Sequence, residues 1–335
     1  MATAPEGRTS FRFSAFGDHG VTAEAHSAAA LVAAVRPAFH LHPGDLAYAN
    51  VDGHEQSRVD PDAWWRWVDL VTGAAPGVPW LAVPGNHDTD GRRVQRLDAP
   101  DGCGRVAEPD PAYDGFRGWV PHPRSGPPGV DGAFRFRFAS LGVVGLDGNL
   151  VSSEYRRTGA VEPDAQTPWL DETLADFRRD PAIDLIVVMV HHCAFATDRM
   201  HGSDGGVRSL WSPLFDRHAV DLVLSGHNHG YERTDPVDHT GCVRDGAPVY
   251  VTVGCGGQVP TRVDRGRHPY QPDASTLWTD DGPIDERAQW SVVRRAVDAV
   301  FVADVEVDRS GSTLACRVTD LDGGLVDHFD IRSRR

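Results

Sequence analysis

The chain has 335 residues, with 48 Asp and Glu against 33 Lys and Arg, and a formal net charge of −15. That excess of acid argues against nucleic acid or an anionic membrane as partner, but not against a small phosphate ester, because bound cations can set the field inside a site. One large α/β domain is expected at this length, and no apolar run is long enough to span a bilayer.

Residues 1–10 lack the apolar core of a secretory leader and read as a flexible N-terminus ahead of a single domain over 11–331. The alternating run Phe11, Phe13, Ala15 predicts a strand that leads into Gly17-Asp18-His19-Gly20. Ala23 to Val35 is alanine-rich, opens behind Thr22 as a candidate N-cap and stops before Pro37, which predicts a helix. Phe39 and Leu41 lead to Gly44-Asp45-Leu46-Ala47-Tyr48, and Trp80 to Val83 leads to Gly85-Asn86-His87-Asp88. Asp98 to Val130, rich in Pro, Gly and Asp, reads either as a long surface insertion near the site or as a disordered excursion. Pro168 to Phe177 predicts a helix with Pro at its start and Leu170, Leu174 and Phe177 on one face. The apolar run Leu185 to Val190 closes on His191-His192. Asp221 to Leu224 reads as a short buried strand that Gly226 breaks into a loop carrying His227 and His229. Near the C-terminus, Phe301 to Val307, Leu314 to Val318 and Leu325 to Ile331 alternate like strands, with turns at Ser310-Gly311 and Asp322-Gly323-Gly324.

Five polar clusters therefore fall at predicted strand ends, where ligands gather in open α/β sheets. Taken singly, each has an ordinary reading. Gly-Asp-x-Gly and Asn86-His87-Asp88 are turn sequences, Tyr48 suits half-buried packing, and His191-His192 suits a strand end. Five together in one chain point to metal binding instead. Asp, Asn, Tyr and His form a mixed oxygen and nitrogen set suited to Fe, Mn or Zn. The five cysteines (Cys103, Cys193, Cys242, Cys255, Cys316) are scattered without metal-finger spacing, so a reduced cytoplasm is the expected location.

This set of blocks resembles the calcineurin-like metallophosphoesterase superfamily, specifically its purple acid phosphatase branch. The blocks appear in that branch's order as Asp18-His19-Gly20, Gly44 to Tyr48, Gly85 to Asp88, Val188 to His191 and Gly226 to His229. Gly20 stands where the wider superfamily has a histidine, and Tyr48 supplies a replacement ligand, the paired change that marks the branch. Tyr231-Glu232-Arg233 and Ala247 to Gly257 are similar too. The resemblance implies a four-layer αββα sandwich and two metal ions. One ion would be held by Asp18, Asp45, Tyr48 and His229, the other by Asp45, Asn86, His191 and His227, with Asp45 bridging. A phenolate ligand implies Fe(III) at the first site and Fe, Mn or Zn at the second.

The implied reaction is hydrolysis of a phosphate ester by metal-bound hydroxide. His87 would supply the leaving oxygen with a proton, Asp88 would orient the His87 ring, and His201 would be a second phosphate-contacting histidine. His191 rather than His192 fits the ligand position. Cys193 replaces a proline of the pattern, which would loosen its loop, and His19 reads as a solvent-facing turn residue, with substrate contact as the alternative. An intracellular phosphomonoesterase acting on a small metabolite is the leading expectation. A phosphodiesterase or a pathway-dedicated phosphatase is the alternative within hydrolases, and a catalytically idle metal- or ligand-binding relative the alternative outside them. The Asp98 to Val130 insertion and Ala194 to Arg208 would roof the metals and favour monoesters.

Overall fold

The computed structural model describes residues 10–53, 58–89, 113–155, 166–198, 201–261, 274–308 and 311–334. In chain order the elements are β1 (Ser10–Ala15), α1 (Ala23–Val35), β2 (Phe39–Pro43), α2 (Ala63–Ala74), β3 (Trp80–Val83) and α3 (Asp114–Trp119). Next come β4 (Phe134–Phe138), β5 (Leu141–Leu146), α4 (Gln166–Arg179), β6 (Leu185–Val190), β7 (Ser203–Asp204) and α5 (Gly205–Arg217). The remainder is strand: β8 (Leu222–Thr234), β9 (Val249–Gly254), β10 (Ala274–Thr279), β11 (Gly282–Arg287), β12 (Ser291–Arg295), β13 (Ala299–Asp308), β14 (Gly311–Asp320) and β15 (Leu325–Arg332). Apart from Ser10, the expected flexible N-terminus lies outside the described residues, as do residues 98–112 of the expected insertion.

Two six-stranded sheets face each other. The first runs β15-β14-β13-β1-β2-β3, with β1, β2 and β3 parallel. The second has β4, β5, β6 and β8 in neighbouring positions, with β9 and β12 on the far side. Alternation assigns the layers. Phe11, Phe13, Ala15, Phe39 and Leu41 from the first sheet meet Leu185, Val187, Met189, Leu222 and Leu224 from the second in one apolar core. The intervening residues Ile186, Val188 and Val190 face the other way, onto Leu170, Leu174 and Phe177 of α4 and Trp211 and Phe215 of α5. On the opposite side, Ala25 and Ala29 of α1 pack with Trp64, Trp67 and Leu70 of α2. The result is the four-layer αββα sandwich. Each large apolar side chain fully buried this way is worth about 1.5–3 kcal/mol.

Local chemistry sets the element ends. The Thr22 hydroxyl accepts from Ala25 N–H at the start of α1, and Arg36 closes the helix in a left-handed conformation before Pro37. Strand β8 doubles back on itself. Leu224 and Arg233 both pair with Val251, and Ser225 and Glu232 both pair with Thr252. The chain thus climbs one edge of β9, passes over its end through 226–230 and returns along the other edge. His227 and His229 sit on that crest.

Candidate metal centre

The donor-bearing loops occupy the same end of both sheets. The Gly17 to Gly20 turn lies along the Asp45 loop, with Asp18 N–H donating to Gly44 O (3.0 Å), His19 N–H to Asp45 O (2.9 Å) and Gly20 N–H to Leu46 O (2.9 Å). Seven non-glycine residues among those described have positive φ. Four of them are Asp18 (57°), Asp45 (55°), Tyr48 (55°) and His227 (68°). Such backbone costs roughly 1–3 kcal/mol per residue, and its concentration on four proposed ligands marks the site as the strained region of the molecule. Glycines permit the close approach. A Cβ on Gly85 would fall 2.1 Å from Asp45 Oδ1, and one on Gly226 would fall 2.5 Å from Asp18 Oδ2.

Donor atoms converge in two overlapping groups. Around Asp18, His229 Nε2 lies 3.4 Å from Asp18 Oδ1 and 3.2 Å from Tyr48 Oη. Around Asp45, His191 Nε2 lies 3.4 Å from Asp45 Oδ2 and 3.1 Å from Asn86 Oδ1. Ligand bonds of about 2.1 Å at right angles put neighbouring donors about 3 Å apart, so donors at these spacings could share an ion. Asp18, Asp45 and His191 also offer three donor atoms mutually within 4.8 Å, all buried. His227 joins through its backbone, its N–H donating to both Asp18 carboxylate oxygens (3.1 and 2.9 Å). Carboxylate, phenol, amide and imidazole donors at these spacings suit bound metal ions.

Electrostatics agree with a site made for cations. Burial would raise Asp45, but the neighbouring His191 and His87 outweigh it and hold the carboxyl below its usual range. Burial, then Asp18, Asp45 and Asp88, push the Tyr48 phenol well above its ordinary value. His191 is lowered by burial, but Asp45 more than compensates and lifts it to about 9.

Several expectations need correction. Asp88 does not orient His87. Its buried carboxylate accepts from Leu46 N–H (2.9 Å), Ala47 N–H (3.3 Å) and Gly85 N–H (2.9 Å), tying the Asp45 and Asn86 loops together. Burial and Asp45 push it up to about 8. The His87 ring is held by Asn50, whose carbonyl accepts from Nδ1–H at 2.7 Å. His19 is fully buried rather than solvent-facing. Its Nε2–H donates to Ala25 O (2.9 Å), and its Nδ1 accepts from Trp67 Nε1–H (3.0 Å). Cys193 tightens its loop, because the thiol donates to Gly226 O (3.1 Å).

His192 is buried, and neither ring nitrogen has a hydrogen-bonding partner among the described residues. Its neighbour His191 is the one among the donors. His201 stands beside His227, with ring centroids 4.3 Å apart. One residue escaped the sequence reading altogether. Glu154 places its two oxygens 2.8 Å from His201 Nδ1 and 3.0 Å from His227 Nε2. It stands eight residues past the apolar run Leu141 to Leu146, too far along to be flagged as a strand end.

Paired sheets between helices, with carboxylate, phenol, amide and imidazole donors pooled at the strand ends, define a metallophosphoesterase fold with a metal-binding centre. The family model for calcineurin-like phosphoesterases matches residues 11–231. The chain belongs to that family, in its purple acid phosphatase-like branch. An uncharacterised protein of Mycobacterium tuberculosis is 32% identical over 258 residues, covering 70% of this chain and 45% of the relative. The Fe(3+)-Zn(2+) purple acid phosphatase 12 of Arabidopsis thaliana is 26% identical over 230 residues, covering 65% of this chain and 44% of that protein. The purple acid phosphatase of yellow lupin (Lupinus luteus) seeds superposes with a TM-score of 0.68 at 16% identity, covering 98% of this chain and 55% of that one. The chain thus spans about half the length of the curated relatives it matches. No helix among the described residues is long and apolar enough to cross a membrane.

Proposed function

We propose that the protein is a two-metal hydrolase of phosphate esters that prefers monoesters of one small intracellular metabolite. The observation carrying this reading is the convergence of Asp18, Asp45, Tyr48, Asn86, His191 and His229 at donor-to-donor spacings of 3.1–3.4 Å, with His227 bonded to Asp18. Asp18, Asp45, Tyr48 and His229 would hold one ion, and Asp45, Asn86, His191 and His227 the other. Tyr48 and the Fe(3+)-Zn(2+) relative support ferric iron in the first site and Fe, Mn or Zn in the second. When bound, the cations would neutralise phosphate oxygens and acidify a water as nucleophile.

The chain's own groups do the rest. His87, anchored through Nδ1 by Asn50 O, keeps Nε2 to carry the proton that the leaving oxygen needs. His201 offers its imidazole to the phosphate from the opposite loop. Asp88 holds the Asp45 and Asn86 loops in register. The start of α3 lies against the same region, since Asn149 Nδ2–H2 reaches both Gly85 O (3.1 Å) and Tyr113 Oη (3.4 Å). A roof there would support the monoester preference, because a diester carries a second substituent that needs an open side. Among the described residues, Cys193, Cys242, Cys255 and Cys316 are free thiols.

The test is metal analysis of the purified protein followed by turnover of matched mono- and bis-aryl phosphates and a metabolite panel. Two ions per chain with faster monoester turnover and one preferred metabolite are expected. Faster diester turnover would overturn the monoester preference, a flat metabolite profile the dedicated substrate, and no turnover with both ions bound the hydrolase itself.

A further inference from the structure

Each proposed metal histidine is gripped at one ring nitrogen by an oxygen that belongs to no metal. His191 Nδ1–H donates to Pro43 O (2.8 Å), and His229 Nδ1–H donates to Val259 O (3.2 Å). Both rings therefore turn Nε2 toward the other donors. His227 is gripped the other way round, by Glu154 Oε2 at its Nε2 (3.0 Å), which leaves Nδ1 as the free nitrogen. A histidine ligates through the nitrogen that lacks a proton, so the partner of one nitrogen decides which one faces the ion.

Glu154 is itself held in place. Buried Asp204 accepts from Ser152 Oγ–H (2.6 Å), Ser153 N–H (3.0 Å) and Glu154 N–H (3.4 Å), while its side chain caps α5 through Val207 N–H (2.9 Å). The Tyr155 ring stands edge-on to His227 with centroids 5.1 Å apart. The second Glu154 oxygen lies 2.8 Å from His201 Nδ1. One carboxylate thus spans a proposed metal ligand and a proposed phosphate contact that come from different loops.

Building on the two-metal reading, we propose that Glu154 is a positioning residue that sets both histidines at once. One oxygen keeps the proton on His227 Nε2, so that Nδ1 presents its lone pair to the second ion. The other holds the His201 ring toward the substrate. The second site and the phosphate contact are therefore coupled through a residue that touches neither metal nor phosphate.

The experiment titrates Zn(II) into metal-depleted wild type, Glu154→Ala and Glu154→Gln by calorimetry, with circular dichroism to check the fold and KM and kcat measured separately. Glu154→Ala is expected to bind the second Zn(II) about 10–100-fold more weakly while the first site is unchanged. Glu154→Gln keeps one acceptor oxygen for His227 but meets His201 with an amide. It should retain most of the second-site affinity and raise KM. Unchanged second-site affinity in a folded Glu154→Ala, or equal losses in both variants, would overturn the proposal. So would a third Zn(II) lost only in Glu154→Ala, which would make Glu154, His201 and His227 a cation site of their own. If wild type binds no second ion, the two-metal reading falls together with this one; if it binds two and the variants match it, only the role of Glu154 falls.

Discussion

Tyr48 is the residue on which the metal assignment turns. Its hydroxyl lies 3.2 Å from His229 Nε2, and its backbone is held at φ 55°. A phenol surrounded by Asp18, Asp45 and Asp88 is hard to ionise unless a cation takes the proton's place. Iron-loaded protein should therefore show a visible charge-transfer band, and Tyr48→Phe should lose it. A colourless protein with full iron content would remove the ferric-tyrosinate assignment. His87 and Asp45 sit two bonds apart in role although they touch through His87 N–H and Asp45 Oδ1 (2.9 Å). Asp45→Ala should lower metal content, because it removes the proposed bridging group. His87→Ala should keep both ions and lose rate by roughly 10²–10⁴. Metal loss in His87→Ala would show that the two roles have been confused.

At the scale of elements, the loop that carries His201 is clamped from behind. Buried Glu232 accepts from Thr197 N–H (2.8 Å), Thr197 Oγ1–H (2.8 Å) and Ser291 Oγ–H (2.8 Å). Arg294 of β12 donates to Thr197 O and to Asp198 Oδ2, whose partner oxygen Oδ1 accepts from His201 N–H (3.1 Å). Glu232→Ala leaves the three donors to its carboxylate unmatched, while Arg294 keeps Asp198 as its partner, at a cost of about 1–3 kcal/mol. The expected outcome is lower thermal stability and higher KM with both ions still bound. Unaltered KM in a folded variant would make the clamp irrelevant to the site.

The strands that build the site were legible in the sequence because their period is short and their ends are polar. The runs Phe11 to Ala15, Leu185 to Val190 and Asp221 to Leu224 became β1, β6 and the rising half of β8. The capping chemistry of α1 was equally plain. What could not be read was long-range. His19 looks like a turn residue in one dimension, and only the packing of α1 and α2 buries it. Asp88 looks like a partner for adjacent His87, whereas its bonds run back 41–42 residues to Leu46 and Ala47. Glu154 has no local mark, since its meaning depends on two loops that reach it from 47 and 73 residues away.

For the molecule as a whole, the buried histidines behind the site contribute a stability that acid removes. His19, His40 and His42 pack with Phe16, Trp67 and Trp80. Burial lowers His19 to about 4 and puts His40 and His42 well below the ordinary range. An unfolded histidine protonates near 6.5, so between about pH 6.5 and 4 the unfolded chain binds protons that the folded one refuses. Stability is therefore complete above about pH 6.5 and is lost as pH falls, on the order of 3 kcal/mol for His19 alone by pH 4. Glu154 and Asp298, raised by burial to about 7 and about 6, Asp88, raised by burial and Asp45 to about 8, and His191, lowered by burial but lifted by Asp45 to about 9, act in the opposite sense. The carboxyl contributions are complete below about pH 4 and that of His191 below about pH 6.5, and each is lost as pH rises through those values, so they offset the histidine slope. His42 isolates the histidine part, because neither of its ring nitrogens has a hydrogen-bonding partner among the described residues. His42→Leu removes a titrating group and two unmatched polar atoms while leaving every other bond in place. Urea unfolding of metal-free protein from pH 7 to pH 5 should show a midpoint that falls further, or rises less, in wild type than in His42→Leu, with the variant at least as stable at pH 7. Parallel pH dependences would mean that His42 takes up its proton without unfolding, and the buried cluster would not be what limits this protein in acid.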